Sequence, residues 1–215
     1  MTYGEARDIA LYLIHQESIA GQTIPGTYNN QQDYLYRIPS LVNAAQMDLA
    51  TTAKKIPASV MLNDLEFEER SGSYIYTLPR DMWQRRGSGL LVPVQNPGEC
   101  VHFIRYNNVR MLDRDKLILP ARLPMETVVE YYRYPKRLAV SPKDEDLLDN
   151  VPEAQEAVPY YVAAHLVMQD DAFRYATLFN EYTAKKDGMI ELPSTEPSIV
   201  QDVYFPCAGD YSFWG

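Results

Sequence analysis

The most regular stretch of the chain is residues 151–182, VPEAQEAVPYYVAAHLVMQDDAFRYATLFNEY. Its apolar residues recur at steps of three and four, a spacing that places side chains along one stripe of an α-helix. Asn150 favours a helix start as a cap, Gly188 favours an end, and Pro159 predicts a kink or a separate short first turn near Val158. We therefore expect one long helix that packs through this stripe. The stripe comprises Ala154, Val158, Tyr161, His165, Met168, Ala172, Tyr175, Phe179 and Tyr182, and its predicted core residues are Tyr161, His165, Met168, Tyr175 and Phe179.

Two more helices are predicted near the N-terminus. Thr2 and Glu5 have the spacing of a capping box, and the first helix then has an apolar face. A second helix is expected to open at Asn30, with the acidic Asp33 near its start, and to end just before Pro57, with a bend or a late true start at Pro39. Its apolar face comprises Tyr34, Ile38, Leu41, Ala45, Leu49 and Thr52. Because each predicted helix has one apolar face, we expect the three helices to pack together as a bundle.

Between the second and the last helix, the apolar residues alternate with a period of two. LEFEER (65–70) and SYIYTLP (73–79) flank a Ser-Gly turn, which predicts a β-hairpin. Further short strands are predicted at VHFIRY (101–106), KLILP (116–120) and TVVEYYRYP (127–135). The predicted fold class is therefore α+β: an antiparallel helical bundle of about three main helices (1–58 and 145–188), a small antiparallel β insertion (59–144) and an extended C-terminal arm (189–215).

The arm has no helical period, but it is rich in aromatic residues. Burying four of its aromatic rings would contribute about 15–25 kcal/mol, and ordering about a dozen residues would cost about 12–24 kcal/mol. Since the two nearly cancel, we expect the arm to need a groove on another subunit. The alternative is that the aromatic rings cover the surface of their own domain. The residues expected to bind the partner are Val203, Tyr204, Phe205, Tyr211, Phe213 and Trp214.

Composition narrows the class of protein. The 215 residues suit one domain with an insertion. No apolar run approaches the length of a membrane span, and the start lacks the order of a signal peptide, so we expect no membrane association and synthesis in a cytoplasm. Cys100 and Cys207 lie too far apart in sequence to indicate a disulfide framework.

The net charge of −9 is unevenly distributed along the chain. Residues 1–69 contain 4 basic and 9 acidic residues, residues 70–143 contain 13 and 6, and residues 144–215 contain 3 and 14. This asymmetry could orient identical subunits with a basic region against an acidic flank. Solvated strand faces would explain it equally well.

No motif predicts catalysis, a metal site or a cofactor, and we do not expect an enzyme. His15, His102 and His165 are scattered, without a metal-binding spacing. Two alternatives stay open. Glu66 and Glu68 share a strand face and could act as a carboxylate pair for sugar hydrolysis. WQRR (83–86) could bind nucleic acid by stacking and charge, through Arg85 and Arg86.

The order of elements resembles that of the head-to-tail adaptor proteins of tailed bacteriophages. The likeness lies in YGEARDIALYLIHQESIAG (3–21), QDYLYRIPSLVNAAQMDLATTAKKI (32–56), TVVEYYRYPKRL (127–138) and the quoted stretch 151–182. It implies a homo-oligomeric ring, commonly a dodecamer, located in the virion at the head-tail junction after assembly in the host cytoplasm.

The resemblance also implies partners. Such a ring binds the portal protein on one side and a tail or nozzle protein on the other. Genomic DNA passes through it during ejection without sequence-specific binding, which the surplus of acidic residues would favour. The arm, Val203 to Trp214, would dock on the portal. Some adaptors of this kind have been ascribed cell-wall hydrolysis, which keeps a peptidoglycan hydrolase as an alternative.

Overall fold

The structure is a computed structural model. It describes residues 1–14, 28–62, 65–68, 72–86, 90–94, 102–107, 109–113, 115–120, 122–124 and 126–190. For residues 28–32, 65, 66, 68, 102, 112 and 113 it describes only the backbone. The predicted arm beyond Ile190, including all six residues expected to bind the partner, lies outside these ranges.

The chain divides into two compact units, each with its own apolar core. One unit takes its described residues from Met1–Ile56 and Tyr134–Pro193, and the other takes them from Pro57–Arg133. We call them the helical unit and the β unit. The chain thus leaves the helical unit once, forms the β unit, and returns.

The described residues of the helical unit form five helices, and their buried faces make a single apolar cluster. The predicted capping box is confirmed, since Thr2 Oγ1 accepts from Glu5 N at 3.2 Å and Thr2 N donates to Glu5 Oε2 at 2.8 Å. The expected second-helix face is largely confirmed, because Tyr34, Ile38, Ala45 and Leu49 are all buried. The helices are α1 Tyr3–Leu13, α2 Tyr28–Thr52, α3 Pro152–Gln155, α4 Val158–Val167 and α5 Ala172–Asp187.

The separate short first turn expected near Val158 is confirmed as α3. The prediction that the rest of the stretch 151–182 forms one long helix is wrong, because the chain forms α4 and α5 there. The main break falls at residues 168–171. Asp171 is the N-cap of α5. Its backbone is extended rather than helical, and its side chain accepts from Arg174 N at 2.9 Å. Met168, predicted as a core residue, lies at this break and is 48% exposed. Helix α4 is buried on most of its surface rather than along one stripe, through Val158, Val162, Ala163, Ala164, Leu166 and Val167.

Residues 134–150 bring the chain back to the helical unit without forming a helix, and we call this segment the strap. The strap runs beside the start of α1. Its carbonyls at Asp144 and Asp146 accept from the first-turn amides of Gly4 at 3.0 Å and Tyr3 at 2.7 Å. The Arg7 guanidinium adds two bonds to the Asp144 carboxylate, at 2.6 and 3.2 Å. Amide groups that a helix start leaves unpaired are thus satisfied by the strap.

The β unit has nine strands among its described residues, arranged in two sheets. One sheet has the order β1-β9-β5-β6, with β4 also paired to β9, and the other has the order β2-β3-β8-β7. The strands are β1 Ile56–Met61, β2 Leu65–Glu68, β3 Ser73–Thr77, β4 Met82–Arg85, β5 Leu90–Val94, β6 His102–Tyr106, β7 Arg110–Asp113, β8 Lys116–Leu119 and β9 Val128–Arg133.

The two sheets share one apolar core. Its buried residues include Leu90, Val92, Val129 and Tyr131 from the first sheet and Tyr76, Leu117 and Leu119 from the second. The predicted hairpin is confirmed as antiparallel β2 and β3, joined at Gly72, whose φ of 61° suits glycine. At the ends of the unit, Leu62 N donates to Thr127 O at 2.9 Å beside the neighbouring strands β1 and β9. The strand that leaves the helical unit therefore lies next to the strand that returns to it.

The expected fold class is wrong in its proportions. The chain is a mixed α+β fold with two sheets, not a mainly helical bundle with a small β insertion. Strands β6, β8 and β9 were predicted, but β1, β4, β5 and β7 were not. Pro57 in β1 and Pro93 in β5 interrupt the usual strand signal. Strands β4 and β7 are only four residues long and include arginine, so they lack a clear alternation of apolar and polar residues.

Candidate functional site

An aromatic cluster joins α4 to α5, and it contains four of the five predicted core residues. Tyr161 stacks on His165 with ring centroids 4.0 Å apart, and Tyr175 stacks on Phe179 at 5.4 Å. The imidazole of His165 also meets the edges of Tyr175 and Phe179, at 6.0 and 5.9 Å. These four side chains are half-buried. The fifth ring of the cluster is the buried Tyr182, 5.1 Å from Tyr161.

The backbone around His165 shows a structural role for this residue. Its Nδ1 lies 2.9 Å from the Tyr161 carbonyl oxygen, one turn earlier in α4. Its own carbonyl accepts from Arg37 Nη2 of α2 at 3.0 Å. His165 therefore has partners in its own helix, in α5 and in α2, as expected of a histidine that contributes to packing.

Asp48 of α2 is the polar end of the aromatic cluster. It accepts a hydrogen bond from the Tyr182 hydroxyl and an ion-pair bond from Lys186 Nζ at 2.8 Å. Burial acts to raise the pKa of Asp48, but the bonds from Lys186 and Tyr182 outweigh it and leave that pKa below its usual value. Burial, together with the Asp48 carboxylate, raises the pKa of Tyr182. The arrangement holds a neutral tyrosine and a charged carboxylate together, and so ties α2 to α5.

A second tie joins α2 to the turn between α4 and α5. The Tyr34 hydroxyl donates to Asp170 Oδ2 at 2.7 Å. Burial and this hydrogen bond raise the pKa of Tyr34 to about 12. This hydrogen bond fixes the turn that ends α4 to the first part of α2.

The Tyr34 bond predicts how stability changes in alkali. The folded chain holds the Tyr34 proton more tightly than the unfolded chain, in which tyrosine titrates near pH 10. The contribution of Tyr34 is therefore complete below pH 10 and is lost as the pH rises towards about 12. At pH 8, the free energy of unfolding of Tyr34→Phe, measured in urea, should be about 1 kcal/mol lower than that of the natural chain. That difference should shrink between pH 10 and 12; a constant difference would contradict the assignment.

The helical unit also exposes several large apolar side chains. Four of them are more than two-thirds exposed: Val140 at 94%, Tyr36 at 86%, Phe173 at 84% and Leu147 at 72%. Others exposed to a lesser degree are Ile9, Tyr12, Leu35, Met168 and Ile190. Single exposed apolar residues are normal on a protein surface, whereas large apolar side chains that lie together as one patch are typical of surfaces that another molecule covers.

The residues of the two alternative hypotheses lie in the β unit. Glu66 and Glu68 pair through their backbones with Ile75 and Ser73, and their side chains lie outside the described part. Arg85 is the last residue of β4, and Arg86 follows it. Arg86 is exposed, whereas Arg85 Nη1 is buried and has no hydrogen-bond acceptor within the described part of the chain. The side chains of His15 and His102 are also outside the description. Among the described residues, no three His, Cys, Asp or Glu side chains are grouped closely enough to hold a metal ion.

Sequence reasoning missed Asp48, Lys186 and Asp170 as structural residues. One signal was available for Asp48, since it is an acid within the last turns of an otherwise apolar helix face. Lys186 suggested only a helix end, and Asp170 offered no sign of its distant partner.

None of the helices in the described residues is both long enough and apolar enough to span a membrane. The chain matches no model of a known protein family, and it matches none of the curated proteins.

Proposed function

We propose that this chain is a structural protein that works as a homo-oligomer, as the adaptor ring between the portal and the tail or nozzle of a tailed bacteriophage. The observation that carries the proposal is the set of large apolar side chains exposed on the helical unit, above all Tyr36 and Phe173. A neighbouring subunit that covered them would remove apolar surface from water.

Two further features support this proposal. The ties at Asp48 and Asp170 hold the helical unit together through side chains, as suits a scaffold that keeps its shape during assembly. The resemblance to adaptor proteins supplies the identity of the partners. In this role the aromatic arm docks on the portal and the ring lets DNA pass.

Native mass spectrometry of the full chain, alone and mixed with portal rings, tests the proposal. We expect a mass that is a multiple of the monomer mass, at least when portal is present. The double variant Tyr36→Asp and Phe173→Asp should lose this assembly at an unchanged melting temperature, because both residues are exposed in the single chain. Ser141→Asp, a change at an exposed polar residue of the same unit, is the matched control and should assemble normally.

A chain that stays monomeric at high concentration and does not bind the portal would contradict the proposed function. Clearing of peptidoglycan by the intact protein, abolished by Glu66→Gln with Glu68→Gln, would favour the hydrolase instead. Salt-sensitive retention on DNA that depends on Arg85 and Arg86 would favour a nucleic-acid-binding module.

A further inference from the structure

Two buried amide side chains meet where the strap returns to α2. Gln46 is 0% exposed and Asn150 is 6% exposed. Gln46 Oε1 accepts from Asp149 N at 2.6 Å, and Asn150 Nδ2 donates to the main-chain oxygen of Gln46 at 3.1 Å. These two bonds set the orientation of both amides, because an amide oxygen only accepts and an amide nitrogen only donates. Turning either amide over would place donor against donor or acceptor against acceptor.

The same orientation leaves one donor and one acceptor over. Gln46 Nε2 and Asn150 Oδ1 are buried without a hydrogen-bond partner among the residues that the structure describes. Leaving such a group unsatisfied is energetically costly, so buried amides in stable proteins rarely stay unpaired. The two amides are close neighbours, because the Gln46 side chain bonds to the backbone of Asp149 and the Asn150 side chain bonds to the backbone of Gln46.

We propose that one ordered water molecule binds between Gln46 Nε2 and Asn150 Oδ1. A water molecule accepts from the first atom and donates to the second, which satisfies both. Buried waters typically bridge polar groups of this kind and form part of the fold. Bound here, the water completes a polar junction between α2 and the end of the strap. Gln155 strengthens this junction, as its Nε2 donates to the carbonyls of Asn150 at 2.7 Å and Leu148 at 3.1 Å.

Asn43 provides a built-in control three residues earlier on α2. Its Oδ1 accepts from Leu138 N at 2.8 Å and its Nδ2 donates to Leu138 O at 3.2 Å, so both ends of this amide bond directly to the strap. Both amides join α2 directly to the strap, and at Gln46 the proposed water adds a further link.

The experiment is an X-ray or cryo-electron map of the full chain at a resolution that shows ordered water. We expect a solvent peak within hydrogen-bond distance of both Gln46 Nε2 and Asn150 Oδ1, and no peak between Asn43 and Leu138. A second measurement, the nuclear Overhauser effect between water and side-chain amides, should give a cross-peak for Gln46, whose side chain is fully buried. A direct bond from Gln46 to Asn150, or solvent that reaches only one of the two atoms, would overturn the proposal.

Discussion

Replacing Tyr182 with alanine is expected to lower the free energy of unfolding by about 3–5 kcal/mol, the range for removing a buried aromatic side chain. Tyr182 is 2% exposed, contacts Tyr161 and Phe179, and donates its hydroxyl proton to Asp48. The substitution therefore removes packing and also takes one donor from a partly buried carboxylate. Urea unfolding followed by circular dichroism measures the change.

Two variants divide this effect into its parts. Tyr182→Phe keeps the ring and removes only the hydrogen bond to a charged acceptor, so about 1–3 kcal/mol should be lost. Phe179→Ala removes a ring that is only half-buried, and it should therefore lose less than Tyr182→Ala. If Tyr182→Ala unfolded within about half a kcal/mol of the natural chain, the placement of Tyr182 in the core would be wrong.

Gly4→Ala is the second substitution with a large expected effect. A Cβ at this position of α1 would lie 2.9 Å from Asp144 Cβ, 3.1 Å from Asp144 O and 3.3 Å from Asp144 Cα. Two of these atoms belong to the strap backbone, which is held in place by the Gly4 and Tyr3 amides. Alanine is the better helix former, but here the strap must move away and weaken those bonds. We expect a net loss of about 1–3 kcal/mol, as for overpacking a well-packed site.

Gly188→Ala is the matched control for Gly4→Ala. Gly188 ends α5 with a φ of −65°, which alanine adopts without strain, and a Cβ there would approach no atom closer than 3.4 Å. We expect unchanged or slightly increased stability. Equal effects of the two substitutions would show that the close contact between α1 and the strap does not exist. Thermal unfolding of both variants beside the natural chain decides between these outcomes.

Local signals in the sequence predicted a substantial part of the fold. The Thr2 and Glu5 capping box, the buried face of α2 and the β2–β3 hairpin each depend on residues close in sequence. Such features have one physical cause that acts over a few residues, such as a cap, an apolar period or a turn. They could therefore be identified without knowledge of the rest of the chain.

The features that sequence reasoning missed depend on distant residues. Asp170 lies in the turn that interrupts the predicted long helix, and it accepts a hydrogen bond from Tyr34, 136 positions earlier. Asp48 accepts from Lys186, 138 positions later. The apolar period also continues across residues 168–171, so the period alone hides the break there. In the β unit, short strands such as β4 and β7 are stabilised by neighbours in the sheet rather than by their own composition.

The neighbouring strands β1 and β9 place the start and the finish of the β unit side by side. A β unit whose two ends lie together can change in length or be exchanged during evolution while the path of the helices stays the same. Lineages of this protein could therefore diverge in what the β unit presents to other molecules and still inherit one unaltered scaffold.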